Sequence, residues 1–130
     1  AMGMCYTSGT TGNPKGVLYS HRSTYLHAQA LTVPNAMNMS SNDTVLLIVP
    51  QFHVMAWGFP FSCMISGANM VMPGPHLNPQ ALVSILDETK VTIANGVPTI
   101  WMGVYAELKK NPVKLEAFKM LAVGGSAMPK

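Results

Sequence analysis

Charge is what this chain has least of. Only 10% of its 130 residues are Asp, Glu, Lys or Arg, where soluble domains average about 25%. None of these occurs from Thr44 through Leu86. The formal net charge of +3 is mild. Lys109, Lys110, Lys114 and Lys119 gather near the end, but Glu107 and Glu116 stand among them. With no interleaved aromatics and no binding motif, they read as a solvated surface and not as a nucleic-acid site. Cysteine is scarce too. Cys5 and Cys63 lie far apart among apolar residues, so they read as reduced core thiols. Long apolar runs are missing: Pro50, Gln51, His53, Pro60, Asn69 and Pro73 interrupt the uncharged stretch, whereas a membrane-spanning helix needs about 20 unbroken residues. His21, His27 and His76 show no metal-ligand spacing and read as surface or capping residues. No Ser-His-Asp or Cys-His arrangement is suggested. Ala1–Met4 runs straight into an apolar strand with no signal-peptide pattern, so a cytoplasmic location is the expectation.

What is present is apolar: 48% of the residues are hydrophobic. This reads as a core buried on several sides, part of it against protein outside this stretch. Apolar surface left exposed would favour a homo-oligomer.

The most informative stretch is Tyr6 to Gly16, YTSGTTGNPKG. Its glycines let the backbone fold back with N–H groups pointing inward, and such nests attract anions. Thr7, Ser8, Thr10 and Thr11 add hydroxyls, and Lys15 adds a positive charge. A polyphosphate would suit this cradle. It is not a Walker A loop, which needs G-x-x-x-x-G-K-[ST] opening a helix. Counting from Gly9, Pro14 stands at the second glycine position, and Gly16 stands where Ser or Thr would meet magnesium. Val17-Leu18-Tyr19 then favours a strand. The dinucleotide pattern G-x-G-x-x-G is also missing.

YTSGTTGNPKG resembles the phosphate-loop signature of the AMP-forming adenylating enzymes, which comprise acyl-CoA synthetases, luciferases and peptide-synthetase adenylation domains. Further resemblances follow in order. Phe52-His53 resembles the family's aromatic motif beside the acyl pocket. Gly96-Val97-Pro98-Thr99 is similar to the segment before a pocket-lining helix. Val123-Gly124-Gly125-Ser126-Ala127 is similar to the glycine pair near adenine and substrate.

The resemblance implies the following roles. Thr7, Ser8, Gly9, Thr10, Thr11, Gly12 and Lys15 would bind the ATP phosphates, with Thr10 linked to Mg2+; Gly124, Gly125 and Ser126 would lie near the adenine. Thr10, Lys15 and His53 would carry catalysis. Phe52, His53, Val54, Trp57, Gly96, Val97 and Pro98 would line the acid pocket, although both tryptophans, Trp57 and Trp101, are equally at home in a core. Amino-acid-activating relatives carry Phe-Asp where this chain has Phe52-His53, which argues against an amino acid. The apolar run from Val54 to Phe59 suits a fatty or related aliphatic acid, with a thioether or aromatic acid as alternatives. Coenzyme A would be the acyl acceptor. The family's adenine-stacking aromatic, magnesium-binding glutamate, ribose-binding aspartate and C-terminal domain with its catalytic lysine have no counterpart in residues 1–130. The chain is thus expected to be a fragment of the N-terminal domain of a ligase, inactive alone. A luciferase-like or aryl-acid enzyme, or a non-catalytic folded module, are the alternative readings.

The pattern along the chain predicts strands over Met2–Thr7, Val17–Ser20, Thr44–Val49, Asn69–Met72, Val91–Ala94 and Met120–Val123. Helices are predicted from a Ser20 or Ser23 cap to about Leu31, over Val54–Ile65 with disturbance at Gly58 and Pro60, after an Asn78 cap with Pro79 at the first position, and over Pro98–Lys110. Alternating strands and helices imply an α/β fold with a layered, largely parallel sheet.

Overall fold

A computed structural model of the chain describes residues 1–8 and 12–128. Two sheets are present. Strands β1 (Gly3–Thr7) and β2 (Lys15–Tyr19) form an antiparallel hairpin whose register runs from Gly3 opposite Tyr19 to Thr7 opposite Lys15. Strand β2 begins two residues before the expected Val17, because Lys15 and Gly16 still face Thr7 and Tyr6 across the ladder.

The second sheet is parallel, in the order β4-β3-β5-β6. It contains β3 (Thr44–Leu47), β4 (Asn69–Val71), β5 (Ile93–Gly96) and β6 (Met120–Val123). Around it lie helices α1 (His21–Thr32), α3 (Phe59–Ser66), α4 (Pro79–Glu88) and α5 (Pro98–Lys110). Local chemistry sets their ends. Ser20 and Ser23 form a reciprocal capping box at α1. Asn78 Oδ1 accepts the N–H of Ala81 and Pro79 opens α4. Gly67, at φ 75°, closes α3 in the left-handed conformation that glycine adopts without strain.

Successive strand residues point to opposite faces, and the core divides accordingly. Leu46 and Ala94 pack with Leu82, Leu86, Trp101 and Val104 of α4 and α5. Val45, Leu47 and Ile93 pack on the other face with Phe59 and Cys63 of α3 and with Met39. Burying one such aliphatic side chain stabilises the fold by roughly 1.5–3 kcal/mol. Helix α3 therefore covers one face, while α4 and α5 cover the other. The chain leaves β3 toward one side and the adjacent β5 toward the other. That makes the carboxyl ends of β3 and β5 a topological switch point, where open α/β sheets form a crevice.

Beyond β2, three elements depart further from the sequence expectation. Strand β3 ends at Leu47 instead of Val49, because the N–H groups of Ile48 and Val49 donate to the Asn95 side-chain oxygen, both at 3.2 Å. Strand β5 starts at Ile93 instead of Val91: the Val91 N–H closes α4 on the Leu86 carbonyl, and the Thr92 hydroxyl is drawn to Asp43. The largest departure concerns Val54–Ile65. Its right-handed helix begins only at Phe59. The preceding segment α2 (Val54–Trp57) is a single left-handed turn with φ between 48° and 56° at all four residues. Left-handed helix costs an L-residue about 1–2 kcal/mol, so this turn requires tertiary support.

Asp43 ties the amino ends of the strands together. It is 2% exposed. Its Oδ1 accepts from the Thr92 hydroxyl at 2.8 Å and from Lys119 Nζ at 3.0 Å; its Oδ2 accepts from the Ser40 N–H and hydroxyl at 2.9 and 3.0 Å. Burial pushes this carboxyl upward, but the hydrogen bonds from Thr92, Lys119 and Ser40 outweigh it and leave the group below its ordinary value. Lys119 is exposed, as its sequence reading expects, and its ammonium also pairs with this buried acid. Cys5 and Cys63 are free and buried, and burial pushes the Cys63 thiol up to about 11.

Candidate functional site at the carboxyl ends of the parallel strands

A cleft of about 500 Å³ opens above the switch point, a size suited to a small-molecule ligand. Three separate connections build its walls. His53 and Trp57 come from the segment after β3, Val97 from the turn after β5, and Gly124 and Gly125 from the turn after β6. Asn95 pins two of these connections together, since its Oδ1 holds the chain after β3 against β5 just where the backbone ladder stops. Asn95 is fully buried, and its Nδ2 has no partner among the described residues. Its contribution therefore comes from the acceptor oxygen. An asparagine inside a strand is disfavoured by propensity; that mismatch in IANG was the available signal, and sequence reasoning missed it.

The glycines of the cleft are required by close approach. A Cβ on Gly124 would lie 2.9 Å from the Trp57 ring, and one on Gly125, at φ 87°, would lie 3.3 Å from Val97. The Gly124 N–H donates to the Gly96 carbonyl at 3.4 Å. The six-membered ring of the Trp57 indole thus lies directly against the Gly124 backbone in the cleft wall.

Five expected site residues are brought together: His53, Trp57, Val97, Gly124 and Gly125. Others are not. Phe52 is 77% exposed and neither lines the cleft nor joins the core; it lies inside the turn that the His53 N–H closes on the Pro50 carbonyl. Val54 lines a neighbouring pocket with Tyr19, Met55 and Phe61. Gly96 leaves no room for substrate, because the Trp101 indole occupies that space: a Cβ there would lie 2.6 Å from Nε1. Pro98 is buried at the first turn of α5. Ser126 is exposed beyond the cleft. Trp101 is a core residue packed near Phe118, with ring centroids 6.5 Å apart.

The phosphate-loop residues belong to the hairpin. Thr7 and Lys15 are cross-strand partners at its loop end, and Ser8 and Gly12 belong to the connection between them. All four are exposed, and Gly12 has φ 142°, a conformation that side chains rarely adopt. Gly9, Thr10 and Thr11 lie outside the described residues. Hydroxyls, a glycine backbone and one ammonium at a single exposed turn form a donor set suited to a polyphosphate. His27, read from sequence as a surface or capping residue, lines the cleft and bonds to the Trp57 carbonyl 30 residues away.

The sequence profile of the AMP-binding enzymes matches residues 1–130. The chain is 53% identical over 129 residues to a 3-methylmercaptopropionyl-CoA ligase of Ruegeria lacuscaerulensis, covering 99% of this chain and 24% of that protein. It is 50% identical over 129 residues to a medium-chain-fatty-acid–CoA ligase of Ectopseudomonas oleovorans, with 99% and 24% covered. The chain spans about a quarter of the length of the curated relatives it matches. Among solved structures, the N-terminal domain of FACL13 from Mycobacterium tuberculosis superposes with a TM-score of 0.81 at 28% identity, over 98% of this chain and 31% of that one. The o-succinylbenzoate CoA synthetase of Bacillus subtilis in complex with ATP and magnesium gives a TM-score of 0.78 at 25% identity, over 97% and 25%.

Proposed function

The chain belongs to the AMP-binding enzyme family, and from that premise we propose that it forms part of the ATP- and acid-binding N-terminal domain of an AMP-forming acyl-CoA ligase. The observation that carries the proposal is the convergence of three strand ends on one apolar cleft, with His53, Trp57, Val97, Gly124 and Gly125 in its wall.

The reaction needs two anions brought together. A carboxylate oxygen attacks the α-phosphorus of ATP, the bond to the β-phosphate oxygen breaks, and pyrophosphate leaves. The thiol of coenzyme A then attacks the acyl carbonyl and AMP leaves. Orientation and charge neutralisation supply most of the rate. Thr7, Ser8, Gly12 and Lys15, with Gly9, Thr10 and Thr11, would hold the β- and γ-phosphates, Lys15 offsetting their charge. Magnesium would enter with ATP, and Thr10 would be linked to it, as the family resemblance implies. His53 would sit beside the acid carboxylate, and Gly124, Gly125 and Ser126 would adjoin the adenylate. The apolar wall of Leu31, Met37, Trp57, Phe59 and Val97 favours an aliphatic acid of short to medium length, thioether acids included; the names of the relatives above point the same way.

The test is pyrophosphate release by the whole protein given Mg-ATP, coenzyme A and a panel of octanoate, 3-methylmercaptopropionate and benzoate. Release with the first two above the third is expected, and no release with any acid would refute the ligase reading. Lys15→Ala should lower kcat/KM for ATP by about 10²-fold or more. The isolated 130 residues should give no turnover.

A further inference from the structure

Resting on that reading, we infer that His27 is a positioning residue for the acid pocket, acting through the left-handed turn Val54–Trp57. The turn is the most strained segment described: four successive non-glycine residues at φ 48–56°. Such strain persists only where surrounding structure over-determines it. Its own backbone supplies two bonds, Ala56 N–H to the His53 carbonyl at 3.0 Å and Gly58 N–H to the Met55 carbonyl at 3.1 Å. The bond from outside comes from α1, where His27 Nε2 lies 3.1 Å from the Trp57 carbonyl oxygen. A carbonyl only accepts, so Nε2 must carry the proton, and the tautomer is fixed by this contact.

Gly58 belongs to the same device. At φ 77° it takes the conformation that ends the turn, and a Cβ there would fall on the His27 ring. The Cδ2–Nε2 edge of the imidazole lies against the glycine while Nε2 holds the carbonyl before it. Trp57, thus fixed, is the residue whose indole lies on Gly124. His27 also faces ligand space on both sides of the turn. It lines the cleft with His53 and the smaller pocket with Val54 and Met55. Among the described residues, the two imidazoles are the only ionisable side chains in the cleft wall. Losing the His27 bond would release the turn, and with it the placement of His53 and Trp57 against the acid; the turn meets the hairpin at Gly3, through Met55, at the opposite end of the ladder from Thr7 and Lys15.

The experiment uses the whole protein and the variants His27→Ala and His27→Gln, assayed by pyrophosphate release with octanoate. His27→Ala should raise KM for the acid about tenfold while KM for ATP stays within about twofold. His27→Gln, whose amide N–H can donate to the same carbonyl, should recover most of the loss. An unchanged acid KM in His27→Ala, or equal damage to both KM values in both variants, would overturn the inference. If the wild type releases no pyrophosphate with any acid, the ligase reading has failed instead. The positioning claim is then decided by imidazole 15N spectra of the wild type, which also decide it if His27→Ala does not fold. They should show His27 protonated at Nε2; a neutral ring protonated at Nδ1 would refute it.

Discussion

The hairpin and the parallel sheet of this molecule are built on opposite terms. In the sheet, Val45, Leu46 and Ile93 are inaccessible to solvent or nearly so, and helices cover both faces. In the hairpin only Cys5 is buried, while Met4, Tyr6 and Leu18 are each more than half exposed. A two-stranded hairpin alone is marginal in water, and exposed backbone hydrogen bonds with few buried apolar contacts mark the regions that open first. The half proposed to bind phosphate is therefore held by little, and the half with the cleft proposed for the acid is held by a close-packed core.

That contrast can be broken most forcefully from the core. Leu46→Ala should cost about 2–5 kcal/mol, whereas Val17→Ala on the hairpin should stay within about 0.5 kcal/mol. Urea denaturation of the whole protein reads both, and similar losses would erase the distinction. A middle-sized effect is expected where sheet and cleft meet. Asn95→Ala strands the N–H groups of Ile48 and Val49 and should cost about 1–3 kcal/mol. Because those bonds hold the cleft wall, the same variant should weaken acid binding more than ATP binding, as the ratio of the two KM values would show.

The smallest effect concerns pH. The carboxyl of Asp43 is lowered in the folded state, so the unfolded chain binds its proton more readily. The stability Asp43 supplies is complete above the ordinary carboxylate pKa of about 3.9 and is lost as pH falls through the lowered folded value. Lys119→Ala removes one of the groups that lower it. The acid-unfolding midpoint should then move to higher pH, by a modest amount because Lys119 is 61% exposed. An unmoved midpoint would leave Lys119 without a part in holding the strands.

Much of this architecture was legible in the residues. Ser20, and Asn78 with Pro79, announced their helices through capping chemistry that acts within three positions. Helix α5 over Pro98–Lys110 and strand β6 over Met120–Val123 matched their apolar spacing. The loop YTSGTTGNPKG pointed to the family before any fold was considered. Val54–Trp57 was not legible. Its residues have no intrinsic preference for a left-handed turn, and the nearest hint, Gly58, marks only where it ends. Phe52 was misplaced because it lies in the turn from Pro50 to His53, which leaves it exposed.

The sequence by itself determined the order of the elements, their caps and the chemistry of the phosphate loop, because these depend on neighbours along the chain. The tertiary structure alone decided the cleft and the contacts that hold it. His27 reaches Trp57 across 30 residues, Asn95 reaches Ile48 across 47, and Lys119 reaches Asp43 across 76. Each of these bonds exists only once the sheet has brought its partners into contact, so no local pattern could have announced them.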